Sequence, residues 1–403
     1  MKMINKVKDI ARSISNPHIE KWKEQGKKVI GYPCTYVPEE IIHAASMLPF
    51  RLRGIGTTSL SIGDTYFGPV ICSYPKAILQ LAGEGKYNFL DGAIITPGCD
   101  SMRRIHECWR KAGQDFEGIL PGYFHYYGVP HKVSDYSIKW FIEETFLLIK
   151  SLEDYFGIKI NDSDLENSIG VYNRSRALLK KLDQMRMSDD PPVTGEEALA
   201  IIIAGFSMPR EEYNDLLERV LSELEKRETI TDGRKRLMLV GSANDDLDFV
   251  NLIESCGAVV VADTMCFGSR SYNDMVDDTD SPVVSLAKRY LNHSYCPRMF
   301  GYYKDRFDYL LERVKQAKVD GVILQNIRFC DLHGSENSIF ERDLEKMGIP
   351  CLKIEREYGP LVETGRIKMR VDAFIERIGA RRQAPGARQK NTGYYNGLQA
   401  TDK

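Results

Sequence analysis

"LDGAIITPGCDSMRR" (residues 90–104) and "VDGVILQNIRFCDLHG" (residues 319–334) almost repeat each other from distant parts of the chain. Each opens with Asp-Gly, runs on as an apolar segment, crosses a short polar loop and reaches Cys-Asp, at Cys99-Asp100 and Cys330-Asp331. A short apolar run bounded by turn residues fits a strand buried on both faces. The segment after each cysteine carries a helical pattern, and strands that alternate with helices predict a mostly parallel sheet covered on both sides.

The same alternation extends outward from both stretches. In the first part "KKVIGYPC" reads as a strand, "PEEIIHAASMLP" as a helix with Pro38 near its first turn, and "FRLRGIG" as a second strand. A helix follows over residues 74–85, then a strand over 90–96, then the helix "SMRRIHECWRKAG". In the second part "RKRLMLVGS" is a strand, "DDLDFVNLIESCG" a helix and "AVVVAD" a strand; the loop "TMCFGSRSYND" comes next. The helix "KDRFDYLLERVKQAK", the strand "VDGVILQN", the helix "NSIFERDLEKMG" and the strand "IPCLKIE" complete it. A basic pair opens the first strand of each part, so the repeated phrase belongs to a repeated unit.

Between the two parts, segments such as "FIEETFLLIKSLEDYFG" and "REEYNDLLERVLSELEKRE" place apolar residues at three- and four-residue spacing. The expected fold is α/β: two parallel-sheet halves with an added helical layer that links them. The expected divisions are an N-terminal half over 1–138, a helical linking region over 139–228 and a C-terminal half over 229–380. A polar tail over 381–403 is expected to be mobile or held by a partner.

The 403 residues exceed one ordinary core. A net charge of −2 gives no electrostatic case for nucleic acid or an anionic membrane. The charged N-terminus has no apolar signal core, and no run approaches the ~20 apolar residues of a membrane span. A cytoplasmic protein is expected. Neither a G-x-G-x-x-G that opens a helix nor a G-x-x-x-x-G-K-[ST] is present, which argues against an NAD enzyme and assigns any ATP hydrolysis to a partner.

Nine cysteines then need a reason. A reducing compartment argues against a disulfide framework, and the C-x₂-C pairs of zinc ribbons are absent. Cys108 beside Trp109, Cys256 at a helix end and Cys351 at the start of a strand read as core residues. The other six fall three to a half: Cys34, Cys72 and Cys99, then Cys266, Cys296 and Cys330. Four of them follow strands, and loops at the carboxyl ends of parallel strands converge on one crevice. Several precede helix starts, whose free N–H groups favour thiolates. Soft thiolate ligands suit zinc, copper(I) or iron–sulfur clusters.

The order of these blocks resembles the family of 2-hydroxyacyl-CoA dehydratase and benzoyl-CoA reductase catalytic subunits. The blocks are "GYPCTYVPEEIIHAASMLPFRLRG", "LDGAIITPGCDSMRRIHECW", "ADTMCFGSRSY", "YCPRM", "DGVILQNIRFCD" and "GIPCLKIEREYGPLVETGRIKMRVDAFIE". Together they cover about residues 28 to 378. The resemblance implies Rossmann- or flavodoxin-like halves, an oxygen-sensitive iron–sulfur site and a separate ATP-hydrolysing iron–sulfur protein that donates electrons at low potential. Dehydratase subunits of this kind hold one [4Fe–4S] cluster on three cysteines. A full set in each half resembles the double-cubane cluster branch, in which a homodimer subunit holds two linked [4Fe–4S] cubanes and reduces small, difficult substrates. A dehydratase or benzoyl-CoA reductase subunit is the alternative, and a two-lobed small-molecule binding protein is the third reading. That last role needs no matched cysteines.

Among polar residues, His333 is the candidate proton donor, because an unperturbed imidazole titrates near neutrality. Glu39 is a second candidate, with helix N-terminal acid as its simpler role, and Glu40 shares that role. His43, His106 and His293 are hydrogen-bonded or solvated by default. Asp100 and Asp331 are expected to cap helices. Arg103, Arg104 and Arg270 are expected on the solvated surface by default, with a face toward the partner or an anionic substrate as the alternative.

Overall fold

A computed structural model describes residues 2–230, 233–293, 295–359, 361 and 363–383. The polar tail from residue 384 onward lies outside the described residues. The first part runs α1 (Lys2–Ala11), α2 (Pro17–Glu24), β1 (Val29–Tyr32), α3 (Glu39–Ala44), β2 (Leu48–Arg51), α4 (Ser61–Tyr66), α5 (Ser73–Gly83), β3 (Gly92–Ile95), α6 (Asp100–Asp115) and β4 (Tyr123–Tyr126). Four helices follow: α7 (Asp135–Phe156), α8 (Asp162–Met187), α9 (Gly195–Ala204) and α10 (Arg210–Leu224). The second part runs β5 (Lys235–Gly241), α11 (Leu247–Ser255), β6 (Ala258–Thr264), α12 (Pro282–Leu291), α13 (Tyr303–Gln316), β7 (Gly321–Ile327), α14 (Asp331–Lys346), β8 (Cys351–Arg356) and α15 (Thr364–Gln383).

Each part forms one four-stranded sheet with every neighbouring pair parallel, in the orders β2-β1-β3-β4 and β6-β5-β7-β8. The two orders are the same topology, so the chain is an α/β protein of two matched sheets. In each sheet the strand order reverses beside the first strand, and the carboxyl ends flanking that point form the crevice where ligands bind in open α/β sheets.

The repeated Asp-Gly has a mechanical reason. Asp91 Oδ2 accepts the N–H of Val29 at 2.9 Å, and Asp320 Oδ2 accepts the N–H of Arg236 at 2.9 Å. Each carboxylate thereby ties the start of its strand to the start of the strand beside it. The glycines that follow leave room for neighbours: a Cβ at Gly92 would stand 2.8 Å from the Tyr123 ring, and one at Gly321 2.7 Å from Phe374. Lys23 and Lys28 also pair with Asp91. Asp91→Ala should cost about 1–3 kcal/mol by leaving the Val29 N–H without its acceptor. Urea unfolding of the variant against the parent measures it.

The helical layer is held by one buried helix. Every residue of α9 is buried, including Glu196 and Glu197 at its start, as expected of a helix apolar on all sides. Glu196 pairs with Lys8 at 2.9 Å and Arg12 at 3.1 Å, while Glu197 pairs with Arg227 at 2.7 Å and closes a capping box with Thr194. The helix packs on α1 from the first part and on α11 and β6 from the second.

Some elements differ from the sequence pattern. Helix α3 stops at Ala44 because Ser46 turns left-handed (φ 57) and the Met47 N–H returns to the Ile42 carbonyl at 3.2 Å. Strand β2 ends at Arg51, before the Gly54–Gly56 turn, where "FRLRGIG" suggested a strand throughout. Strand β4 is absent from the sequence expectation; its "YFHY" is half-exposed and lacks a clear alternation.

Candidate functional site

Four of the six candidate cysteines stand where loops leave the sheets. Cys34 follows β1, Cys266 follows β6, and Cys99 and Cys330 are the N-cap residues of α6 and α14 after β3 and β7. Cys72 is the N-cap of α5, and Cys296 lies between α12 and α13. Cys99 and Cys330 thus hold the same place in the two sheets, and Cys72 and Cys296 each precede the helix leading to those strands. The expected capping by Asp100 and Asp331 is corrected: both aspartates lie one position inside their helices, and the Cys99 sulfur itself accepts the Met102 N–H at 3.4 Å.

Backbone geometry brings the thiols in. Gly98 is required beside Cys99, because a Cβ there would lie 2.8 Å from the Cys34 sulfur. Before Cys330 a tight turn closes from the Cys330 N–H to the Ile327 carbonyl at 2.9 Å, with Phe329 left-handed at φ 63.

The thiols feel one another across the two halves. Burial, then the charge of Cys296, pushes the Cys34 thiol up to about 11. Burial, then Cys99, pushes Cys72 up to about 12. Burial pushes Cys99 up to about 12, with Cys330, Cys34 and Cys296 adding to it against the Met102 N–H. Burial, then Cys72, pushes Cys330 up to about 12. Backbone N–H groups, from helix starts at Cys72, Cys99 and Cys330, do lower these values, but burial and mutual repulsion outweigh them, contrary to the expectation of ready thiolates. Five cysteines therefore form one interacting group: Cys34, Cys72, Cys99, Cys296 and Cys330. Cys266 joins it indirectly, through Arg51, which lies near both Cys266 and Cys34.

Three arginines surround this group. Arg51 at the end of β2 is buried, donates to the Cys266 carbonyl at 2.7 Å, and lies 4.0 Å from the centre of the Phe267 ring. Arg298 is buried beside Cys34 and donates to the carbonyls of Pro130, Val129 and Pro97 at 2.7, 3.0 and 3.1 Å. Arg270 donates to the carbonyls of Gly241 and of Tyr295, the neighbour of Cys296. Only 2% of Arg270 is exposed, which corrects its expected surface position. Arg103 and Arg104 are exposed and pair with Asp100, as a solvated surface requires.

A resident metal group must suit this donor set. Among the described residues no three His, Cys, Asp or Glu side chains are grouped closely enough to hold a single metal ion. The thiols that act on one another are soft sulfur donors, and such donors suit iron–sulfur chemistry. The Arg51, Arg270 and Arg298 guanidiniums are buried with no carboxylate within salt-bridge distance among the described residues, so the surroundings favour an anionic occupant. The residues fit a multinuclear thiolate-bound cluster better than one zinc ion.

The remaining candidates are placed as follows. His333 sits in the first turn of α14, and burial with Arg270 and Arg306 holds its pKa well below the ordinary value. Glu39 opens α3 and pairs with Arg210, while Glu40 is fully buried against Arg176 and Tyr290. His43 bonds Ser168 and Glu211, and His106 stacks on Phe124. His293 is buried next to Tyr36, whose hydroxyl donates to its carbonyl at 2.7 Å. Cys108, Cys256 and Cys351 each donate S–H to a backbone carbonyl, at Tyr66, Leu252 and Ile349, as packed thiols do. Arg51 and Arg298 were not singled out from the sequence. Their only signal was position, inside "FRLRG" and two residues after Cys296.

Two matched parallel sheets, with mutually interacting cysteines in the segments around their strand ends, define an α/β protein. The chain belongs to the 2-hydroxyglutaryl-CoA dehydratase D-component family, whose model matches residues 34–378. It is 30% identical to a benzoyl-CoA reductase subunit from Thauera aromatica over 77% of this chain and 81% of that one. It is 27% identical to the (R)-phenyllactyl-CoA dehydratase beta subunit of Clostridium sporogenes over 88% and 93%. With the (R)-2-hydroxyglutaryl-CoA dehydratase subunit beta of Acidaminococcus fermentans it shares 23% over 89% and 95%. These relatives are dehydratase and reductase subunits, and an enzyme is the class they support. No helix among the described residues is long and apolar enough to cross a membrane.

Proposed function

We propose that this chain is the iron–sulfur component of an ATP-dependent two-component reductase, with a double-cubane cluster held by Cys34, Cys72, Cys99, Cys266, Cys296 and Cys330. The reading is supported by thiols from both halves that act on one another's ionisation, and by nearby buried arginines that have no salt-bridged carboxylate among the described residues. When bound, such a cluster supplies single electrons at low potential. The protein's part is to hold the thiolates, exclude water by burial, and position proton-bearing groups. His333, kept neutral, is proposed to hold a proton on one ring nitrogen for the substrate; Glu39, oriented by Arg210, is the second candidate carrier. In this reading the chain is a cytoplasmic, oxygen-sensitive homodimer that acts on small molecules and takes electrons from a separate ATP-hydrolysing iron–sulfur protein. The proposed division is 1–138, 139–228 and 229–380, with the tail beyond.

A second reading is the catalytic subunit of a 2-hydroxyacyl-CoA dehydratase or benzoyl-CoA reductase with one [4Fe–4S] cluster. It is favoured by the activities for which the relatives are named.

Iron and sulfide per monomer after anaerobic purification test both. About eight irons support two cubanes and about four support one. Near zero after reconstitution would sink both readings. The pure chain should hydrolyse no ATP, because it has no phosphate-binding loop motif. Robust hydrolysis by the chain alone would contradict the two-component proposal.

A further inference from the structure

Buried arginines in this protein fall into two groups. Away from the cysteines most meet a carboxylate: Arg176 with Glu40, Arg186 with Asp263 at 2.7 Å, Arg306 with Glu336 at 2.7 Å, Arg313 with Asp183 at 2.8 Å and Arg356 with Asp246 at 3.2 Å. Two others there lack a paired carboxylate: Arg53 donates to the Ala11 carbonyl at the end of α1, where the helix dipole is negative, and Arg289 donates to the carbonyls of Asp274 and Ser271. Around the cysteines Arg51, Arg270 and Arg298 have no carboxylate within salt-bridge distance among the described residues. They satisfy backbone carbonyls instead.

A buried cation without an anion is among the costliest things a fold can hold. Arg51 is 1% exposed, and the aromatic faces of Phe267 and Phe206, 4.0 and 4.9 Å from its guanidinium, offset only part of that cost. The groups near it that can carry negative charge are Cys34, Cys266, Tyr32 and Tyr74. Both tyrosines are buried and their phenols resist ionisation. The cysteines remain as the source of countercharge.

We infer that Arg51, with Arg270 and Arg298, is a positioning residue that compensates the negative charge of the metal-bound thiolates and so sets how readily the bound group accepts an electron. The inference rests on the proposed cluster at these cysteines. A fixed positive charge stabilises the more negative, reduced state, so its removal makes reduction harder. It acts through the thiolates and the Cys266 carbonyl and touches no substrate.

The test compares Arg51→Met, Arg51→Lys and, as the remote control, Arg53→Met, each purified without oxygen. Readouts are the midpoint potential by redox titration, the rate of iron release to a chelator, and Tm before and after iron removal. Arg51→Met should shift the potential to more negative values and release iron several-fold faster. It should also lower the Tm of the iron-loaded protein more than that of the stripped protein. Arg51→Lys should restore most of the potential, and Arg53→Met should leave it unchanged. A purely structural role would lower both Tm values equally and leave the potential in place, and that result overturns the inference. If Arg51→Met fails to fold, Arg298→Met gives the same readouts with the same expected signs. A parent protein that binds no iron defeats the proposed function itself. Iron-loaded variants with unchanged potential and release defeat only this inference.

Discussion

Cys99→Ser and Cys330→Ser should each strip most of the iron from the anaerobically purified protein and abolish low-potential reduction. Both sulfurs belong to the interacting group and hold matched helix starts in the two halves. Serine is among the best N-cap residues, so the helices that follow should form as before. What is lost is the ligand, because a serine hydroxyl does not ionise near neutral pH as a metal-bound thiol does. The comparison set is Cys108→Ser, Cys256→Ser and Cys351→Ser. In each the S–H already meets a backbone carbonyl that an O–H can also satisfy. Those variants should keep full iron and lose at most about 1–3 kcal/mol of packing. Iron per folded monomer across the five decides the sorting. Full iron in Cys99→Ser and Cys330→Ser, with loss in a core variant, would reverse it.

The sheets were legible because their cause is local. Apolar runs of four to seven residues, each opened by a glycine or a basic residue, mark β1, β3, β5 and β7, and the shared Asp-Gly marks the repeat. Strand β4 escaped because "YFHY" gains its place from pairing with β3, a tertiary effect that a half-exposed aromatic run does not announce. Five of the six cysteine positions were legible for the same reason as the strands, since they stand at strand ends and helix starts; Cys296 lies in the loop between α12 and α13. Their ionisation was not, since helix N-termini point toward thiolates and only the folded crevice shows burial outweighing them. Arg270 illustrates the other limit. An arginine in "GSRSY" reads as surface, and its burial depends on the Gly241 and Tyr295 carbonyls, which come from separate segments.

The largest stability effect outside the crevice is expected at Glu40. Its carboxylate is fully buried, pairs with Arg176 of α8 and accepts the Tyr290 hydroxyl of α12 at 2.7 Å. Arg176 in turn donates to Asn173 at 3.0 Å, and Asn173 holds the backbone of Val276 on both sides, at 3.0 and 2.9 Å. One side chain from the first part thus ties the helical layer to the second part. Glu40→Ala leaves Arg176 buried without its countercharge and should cost about 3–5 kcal/mol. Glu40→Gln keeps the shape and should cost less. The pH dependence has a definite sign. Burial raises the Glu40 pKa, but Arg176, Arg289 and the Tyr290 hydroxyl together bring it below the ordinary 4.5. A depressed folded-state pKa gives stability that is fully present above the unfolded value and is lost as the pH falls through the folded one. The parent should therefore lose this contribution on acidification below 4.5, and the gap between parent and Glu40→Gln should narrow there. Urea midpoints of the three proteins at neutral pH and in that acid range measure both effects. A cost under about 1 kcal/mol for Glu40→Ala at neutral pH, the size of an exposed pair, would show that the three regions are not joined at this residue.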